Sequence, residues 1–459
     1  MIPFMEVVDR SLTGPYCIQE DFDLKVFVPK LREMINKYKI KFDPDIPIPW
    51  DDDLADRVFQ AAIEFYAGVG TYCINTERII KFSELEILEG LKTAPFQPTF
   101  GEGKDCKRLL PRRPESETPP WCFLGAAGAP VSSEEIFFKV MEGYGSIPLV
   151  DSITTPTLTT IGGRQIRAQS PLEVLASIRS SMLSREALCI AGRPGLPIMN
   201  SIATSISDTA KIAGSQFGLR PSDGWLIGSI AEMKVNFQRL NEVAFVLSLG
   251  GRVCAESGPL LGGYCGGAEG VAIANVAYHL HCILVLRGSC QVTFPLHYHT
   301  VCTSSRDLLW AVSVSSQAIS RNSHFAFFTI PNTASGPVEE MCFYETAAIV
   351  TSLVVSGSSL EALGVYRNAT VDLQTPQGPK FASEIAHAVR GMTRKEANEI
   401  VKRLLAFYEH LINHPPIGKR YQESYDVRTG KPFDETERLY QRMKKEVASM
   451  GFRFRDGLE

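Results

Sequence analysis

"ALCIAGRPGLPIM" (Ala187–Met199) reads as a short buried strand, Leu188–Ala191, running into a Gly- and Pro-rich turn that delivers one side chain, Met199. In parallel α/β folds the residues that follow strands carry the chemistry, so this position asks for a residue with a role. By type, a methionine there is a packing residue, because its unbranched thioether fills irregular gaps well.

Outward from this stretch, short apolar runs alternate with helical patterns. Strands are expected near Cys122–Leu124, Leu188–Ala191, Trp225–Ile230, Phe245–Leu249, Gln291–Leu296 and Phe325–Ile330. Ser170–Leu183, Asp307–Ser320 and Val338–Gly357 suit the helices between them. Such alternation favours a parallel β/α architecture, and by itself leaves an open doubly wound sheet and a closed barrel equally possible. Helical patterns also begin the chain (Pro29–Ile40, and Asp52–Gly70 with its glycine stop) and end it (Arg394–Ile412, Glu435–Met450). The Pro- and charge-rich stretch Glu102–Pro130 reads as a loop leading to a first strand near Trp121, and no repeat or low-complexity linker divides the chain.

At 459 residues, 44% hydrophobic and 21% charged, the chain can bury a large core. A net charge of −4 gives no nucleic-acid footprint. "MIPFMEVVDR" carries no secretory pattern, and apolar segments such as Val271–Leu286 and Ala347–Leu360 are too short or too interrupted to span a bilayer. A soluble, cytoplasmic protein is expected. Eleven scattered cysteines fit reduced thiols better than a disulfide framework, which makes "NAT" at Asn368 a chance glycosylation match.

Further motifs follow in order: "QEDFDL" (Gln19–Leu24), "GTYCINTERIIKFSELEI" (Gly70–Ile87), "GGRVCAESGPLLGGYCGGAEG" (Gly250–Gly270), "GPVEEMCFYETAA" (Gly336–Ala348), "QESYDV" (Gln422–Val427) and "ERLYQRMKKEVASMGF" (Glu437–Phe452). With the "GRPG" turn, their order and spacing resemble, almost end to end, the monomethylamine methyltransferase family of corrinoid-dependent methyl metabolism. The resemblance implies a (β/α)8 TIM barrel over 121–390, a helical N-terminal extension over 1–120 and C-terminal helices over 391–459. It also implies a symmetric homo-oligomer, a hexamer, and a corrinoid carried by a partner protein rather than a cofactor held tightly by this chain.

In that family the position of Met199 is pyrrolysine. A glutamate that hydrogen-bonds the amine adduct corresponds to Glu256, which is retained, whereas a second glutamate, a glutamine and a tyrosine correspond to Leu226, Ile330 and Asn332. Polar partners thus change together with the residue they orient. Changing one alone would strand buried polar groups at about 1–3 kcal/mol each. The resemblance implies that pyrrolysine, an electrophilic imine, captures and activates methylamine for attack by Co(I). Methionine offers no imine, so a rebuilt pocket suits a donor already activated, a quaternary ammonium or a sulfonium. Glu256 would be its counterion, and Tyr264, Phe327 or Phe328 would offer cation–π contacts of roughly 0.5–2 kcal/mol.

The Gly-rich Gly262–Gly270 is either a tight strand-to-helix turn or a close approach to a corrinoid. His297-Tyr298-His299 stands apart from the resemblance: alternate strand residues face one way, so both imidazoles would line the pocket, with Cys290 and Cys302 as possible zinc partners. The family keeps a histidine at His297 and has an arginine at His299. His279 and His281 read as structural. The favoured expectation is a pyrrolysine-independent methyltransferase that needs no metal. A metal-dependent hydrolase or lyase using His297 and His299, and a non-catalytic binding homologue, are the alternatives.

Overall fold

The computed structural model describes residues 2–125, 128–200, 206–365 and 370–454. Seven parallel strands form one sheet: β1 Cys122–Gly125, β2 Ser152–Thr154, β4 Gly224–Gly228, β5 Arg252–Ser257, β6 Cys290–Thr293, β7 Phe327–Thr329 and β8 Ser359–Glu361. Residues 197–200, here β3, close the gap. Ile198 pairs parallel with Ile153 of β2, and Met199 with Gly224 of β4. Backbone bonds run from Met199 N to Ile153 O (2.9 Å) and from Gly224 N to Ile198 O (3.1 Å). Because β8 also pairs with β1, the ring is complete and the expected (β/α)8 barrel is the fold.

Before the barrel come α1 Phe4–Thr13, α2 Val28–Lys37, α3 Asp52–Val69 and α4 Glu84–Thr93. The strands alternate with α5 Glu134–Gly145, α6 Pro171–Ile190, α7 Asp208–Ser215, α8 Phe237–Ser248, α9 Ala268–Leu284, α10 Arg306–Asn322, α11 Glu340–Val355 and α12 Gln377–Ala388. After them come α13 Arg394–Tyr408 and α14 Asp434–Ser449. Several barrel helices start on capped turns at the strand exits. Ser133 accepts from Ile136 N (3.2 Å), Ser207 from Ala210 N (3.3 Å) and Asn236 from Arg239 N (3.0 Å), each such cap stabilising by about 1 kcal/mol. The N-terminal segment is tied in by pairing of Thr71–Cys73 with Lys234–Val235 in the β4–α8 connection, and α3 packs on α9 and α10.

Alternation along each strand separates two cores. Val253 and Ala255 of β5 face the helices, while Cys254 joins Trp121, Phe123, Met199, Leu226, Val292 and Phe328 inside the barrel.

Two expected strands are helix ends. Leu188–Ala191 is the last turn of α6 and its cap: Ala187 and Leu188 are buried, but Ile190 is 64% exposed, a helical rather than an alternating pattern. The strand lies beyond the "GRPG" turn, not before it. Phe245–Leu249 likewise ends α8, and Gly250, at φ +64°, turns the chain into β5.

The "GRPG" turn is docked just before β3, at the N-terminal end of that strand. The buried Asp105 carboxylate accepts from Arg193 Nε (2.6 Å) and Gly195 N (3.2 Å), and Gly195 O accepts from Glu102 N (2.9 Å). A Cβ on Gly195 would run into the Glu102 carbonyl oxygen. Asp223, fully buried, accepts from Ile198 N (3.1 Å) and pairs with Arg185 and Arg220. Both clamps fix where β3 enters the ring. Gly195→Ala should therefore cost about 1–3 kcal/mol, as overpacking does, read as a lower urea midpoint at unchanged m-value; an unaltered midpoint would mean the turn is not held this way.

Candidate active site inside the barrel

Strand geometry decides which side chains meet. On β5 the inward residues are Cys254 and Glu256, and on β4 they are Gly224, Leu226 and Gly228, in register with β5 through Gly228 opposite Glu256. Glycine at 228 lets the carboxylate come close to the β4 backbone, since a Cβ there would stand only 3.3 Å from Glu256 Oε2. Met199 is fully buried on β3 against Gly224, and Leu226 and Ile330 lie in the same interior apolar cluster. These four sequence-read positions, Glu256, Met199, Leu226 and Ile330, are brought together. Glu256 sits in the strand itself, not in a loop after it.

Glu361, at the end of β8, joins them and was not singled out from the sequence. It is 1% exposed, and one carboxylate oxygen, Oε2, has no hydrogen-bond partner among the described residues. Its neighbour Leu360 packs on the outer core, which turns Glu361 inward. It interacts electrostatically with Glu256 and Cys254 of β5 and bears on Cys290 of β6, strands that lie across the interior. Burial, then the Glu256 charge, pushes its carboxyl well above the usual range. Burial likewise pushes Glu256 up to about 7, against the pull of Lys211 and Arg239.

Those two cations come from the first turns of α7 and α8, but both are engaged by Glu242: Lys211 Nζ at 3.4 Å and Arg239 Nη1 at 2.9 Å from its Oε1. Among the described residues the Glu256 carboxylate accepts no hydrogen bond; only its backbone carbonyl does, from Ser229 N (2.8 Å). Among the described residues, two carboxyl groups therefore face a largely apolar interior without a dedicated cation. Such an arrangement favours either protons on the carboxyls or a positively charged guest.

The remaining sequence-read residues stand elsewhere. Asn332, after β7, turns its carboxamide onto its own loop, donating to Ile330 O (3.3 Å), and its carbonyl accepts from Thr303 N (2.8 Å). His297 ends a two-residue strand paired with Leu260–Leu261, and its Nδ1 accepts from His299 N (3.2 Å) and Thr300 N (3.3 Å). His299 is exposed in the turn that follows. The alternation argument fails there because the strand stops at His297, although the rings remain 5.9 Å apart. Cys290 lies inside the barrel with its sulfur 3.3 Å from Cys254 Sγ, whereas Cys302 meets Thr300. Among the described residues no three His, Cys, Asp or Glu side chains are grouped to hold a metal.

Tyr264 is 45% exposed on the Gly-rich turn, with Lys234 Nζ 5.7 Å from its ring centre. Phe327 faces outward against His279. Of the three aromatics considered for a cation, only Phe328 lies inside, edge-on to Phe123 at 5.8 Å. His279 bridges Gln291 (2.6 Å) and Ser323 (2.9 Å), and His281 meets Thr71 (2.9 Å) in the outer core.

A carboxyl whose folded pKa is raised stabilises the fold below its unfolded value and loses that contribution as pH rises through the folded one. For Glu256 the window runs from its ordinary value of 4.5 to about 7. Glu256→Gln should match the parent's Tm near pH 4.5, exceed it by a growing margin as pH rises, and level off above about pH 7. A constant offset across that range would place the carboxyl in a solvated setting instead.

The comparisons with known proteins agree with this architecture. The family model described as monomethylamine methyltransferase MtmB matches residues 2–452. The chain is similar to monomethylamine methyltransferase MtmB2 of Methanosarcina barkeri, 30% identical over 455 residues with 97% of each chain covered. It is also similar to MtmB of Methanosarcina mazei, 29% identical over 452 residues with the same coverage. The crystal structure of the Methanosarcina barkeri MtmB superposes with a TM-score of 0.94 at 28% identity over 98% of both chains. A hydroxylamine complex of MtmB superposes equally well. The chain belongs to the monomethylamine methyltransferase family and is a methyltransferase of that family.

Proposed function

We propose that this methyltransferase takes its methyl group from a small cation that already carries its leaving group, a quaternary ammonium or sulfonium compound, and passes it to Co(I) of a corrinoid held by a separate protein. No pyrrolysine is involved. The observation that carries the reading is the carboxylate of Glu256 inside the barrel, free of any hydrogen bond among the described residues, in an interior that also holds a fully buried thioether at Met199.

A neutral amine is a poor donor because an amide anion would have to leave. From a quaternary ammonium the carbon–nitrogen bond breaks with its electron pair staying on nitrogen, and a neutral amine departs. The corrinoid supplies the two-electron nucleophile for the new bond to carbon. This chain's residues do the rest. Glu256 balances the donor's charge, Phe328 and Phe123 offer aromatic surface, and Met199, Leu226 and Ile330 keep the surroundings apolar. In such surroundings charge attraction is stronger than in water. Once the methyl group has gone, the product is neutral, its attraction to Glu256 disappears, and release follows.

The acceptor would approach from the C-terminal ends of the strands, near which Glu256 and Glu361 stand on β5 and β8. A symmetric assembly and a cytoplasmic location belong to the same reading. No helix among the described residues is long and apolar enough to cross a membrane.

Mixing the protein with a Co(I) corrinoid protein and a donor panel, and following the methylated acceptor by absorbance, tests the reading. Quaternary or sulfonium donors should react and monomethylamine should not, and carbonyl-type reagents that trap imines should leave the protein's mass unchanged. Robust transfer from monomethylamine would overturn it. With the productive donor, Glu256→Gln should weaken binding by about 1–4 kcal/mol, the range for two unit charges about 4 Å apart between water and a partly screened protein setting. Because that interaction fades as the donor's charge is lost, KM should rise more than kcat falls; unchanged kinetics would remove Glu256 from the site.

A further inference from the structure

Resting on the reading of the barrel interior as the donor site, we propose that Glu361 is its second acidic wall, and that Glu256 and Glu361 form one receptor that exchanges a proton for a single compact cation.

Three independent features carry this. Glu361 is 1% exposed, and its Oε2 is unpartnered among the described residues, an expensive state for a buried polar atom unless a guest or a proton occupies it. The carboxyls come from β5 and β8, strands separated in the ring by β6 and β7, so they approach from different walls. They sense one another's charge. Finally, Gly228 and Glu256, paired across β4 and β5, are both only partly buried, so this part of the interior is reached from solvent.

Other groups near the pair do not supply the proton. Glu361 is met by Cys254 and Cys290 from β5 and β6, and Glu256 by Lys211 of α7 and Arg239 of α8, with Cys282 of α9 close by. Burial holds the Cys290 thiol well above its ordinary range and pushes Cys282 up to about 12, so both stay protonated at neutral pH. Lys211 and Arg239 donate to Glu242 and bear on Glu256, and neither appears among the charges acting on Glu361.

Two like charges confined together cannot both ionise cheaply, so the guest-free pair keeps a proton. A cation between them removes the reason to keep it. The exchange balances: one monovalent cation enters, one proton leaves to solvent, and no bond beyond O–H is broken. By linkage, affinity must rise with pH wherever a proton is released on binding, by up to about tenfold per pH unit for one full proton.

The test uses the intact protein and tetramethylammonium without any acceptor, titrated calorimetrically from pH 6 to 8 in buffers of different ionisation enthalpy. Binding should tighten as pH rises, and the buffer dependence of the heat should report proton release. Tertiary butanol, an uncharged molecule of similar shape, should bind weakly and release none. Glu361→Gln, which keeps the shape, should fold, bind the cation more weakly and show a flattened pH dependence. An intact pH dependence in that variant would assign the proton to another group and overturn the proposal. So would pH-independent binding by the parent protein; methyl transfer from a quaternary donor would in that case leave the donor reading standing. Absence of both binding and transfer would remove both.

Discussion

Closure of the barrel depends on four residues. Between β2 and β4 the ring is completed by 197–200, where Ile198 and Met199 each contribute one bridge. A segment this short has little pairing of its own to hold it, and its position comes from the clamps beneath it: Asp105 on the "GRPG" turn and Asp223 on Ile198 N. Closure turns an open apolar sheet face into an enclosed interior. It also points Met199 inward, and everything inferred about the site follows from that enclosure.

An enclosed apolar interior makes the two carboxyls consequential. At the surface, Glu256 and Glu361 would be ordinary solvated anions. Inside the ring, burial penalises each charge, and the cations nearest Glu256 are tied to Glu242. The same interior carries no electrophile at Met199. A site with spare negative charge and no covalent handle favours a permanent cation over a molecule that must first be captured.

The sequence made the fold legible where patterns were long. Asp52–Val69, Arg306–Asn322 and Glu340–Val355 are helices with broad buried faces, and the motif resemblance distinguished barrel from open sheet. It failed where elements were short or polar. β2 and β8 have three residues each, with Ser152, Thr154, Ser359 and Glu361 facing inward, so no apolar run announces them. The strand assigned at Leu188–Ala191 is a helix end because four apolar residues do not reveal their period. Glu256, Met199, Leu226 and Ile330 could be read from motif correspondence. Glu361 could not: its only signal was a carboxylate in the apolar stretch "SSLEALGV" (Ser358–Val365), and its partner in space is more than a hundred residues away. The "LHYH" segment misled because alternation holds only while a strand continues.

The central claim is that the barrel interior is a receptor for a compact permanent cation. Its most direct test is a crystal structure of the protein grown with tetramethylarsonium, in which arsenic is located by its anomalous scattering. The account predicts a peak inside the ring between the Glu256 and Glu361 carboxylates, with Phe328 alongside. Arsenic bound only outside the barrel, or an interior left without it while the cation decorates surface carboxylates, would contradict it.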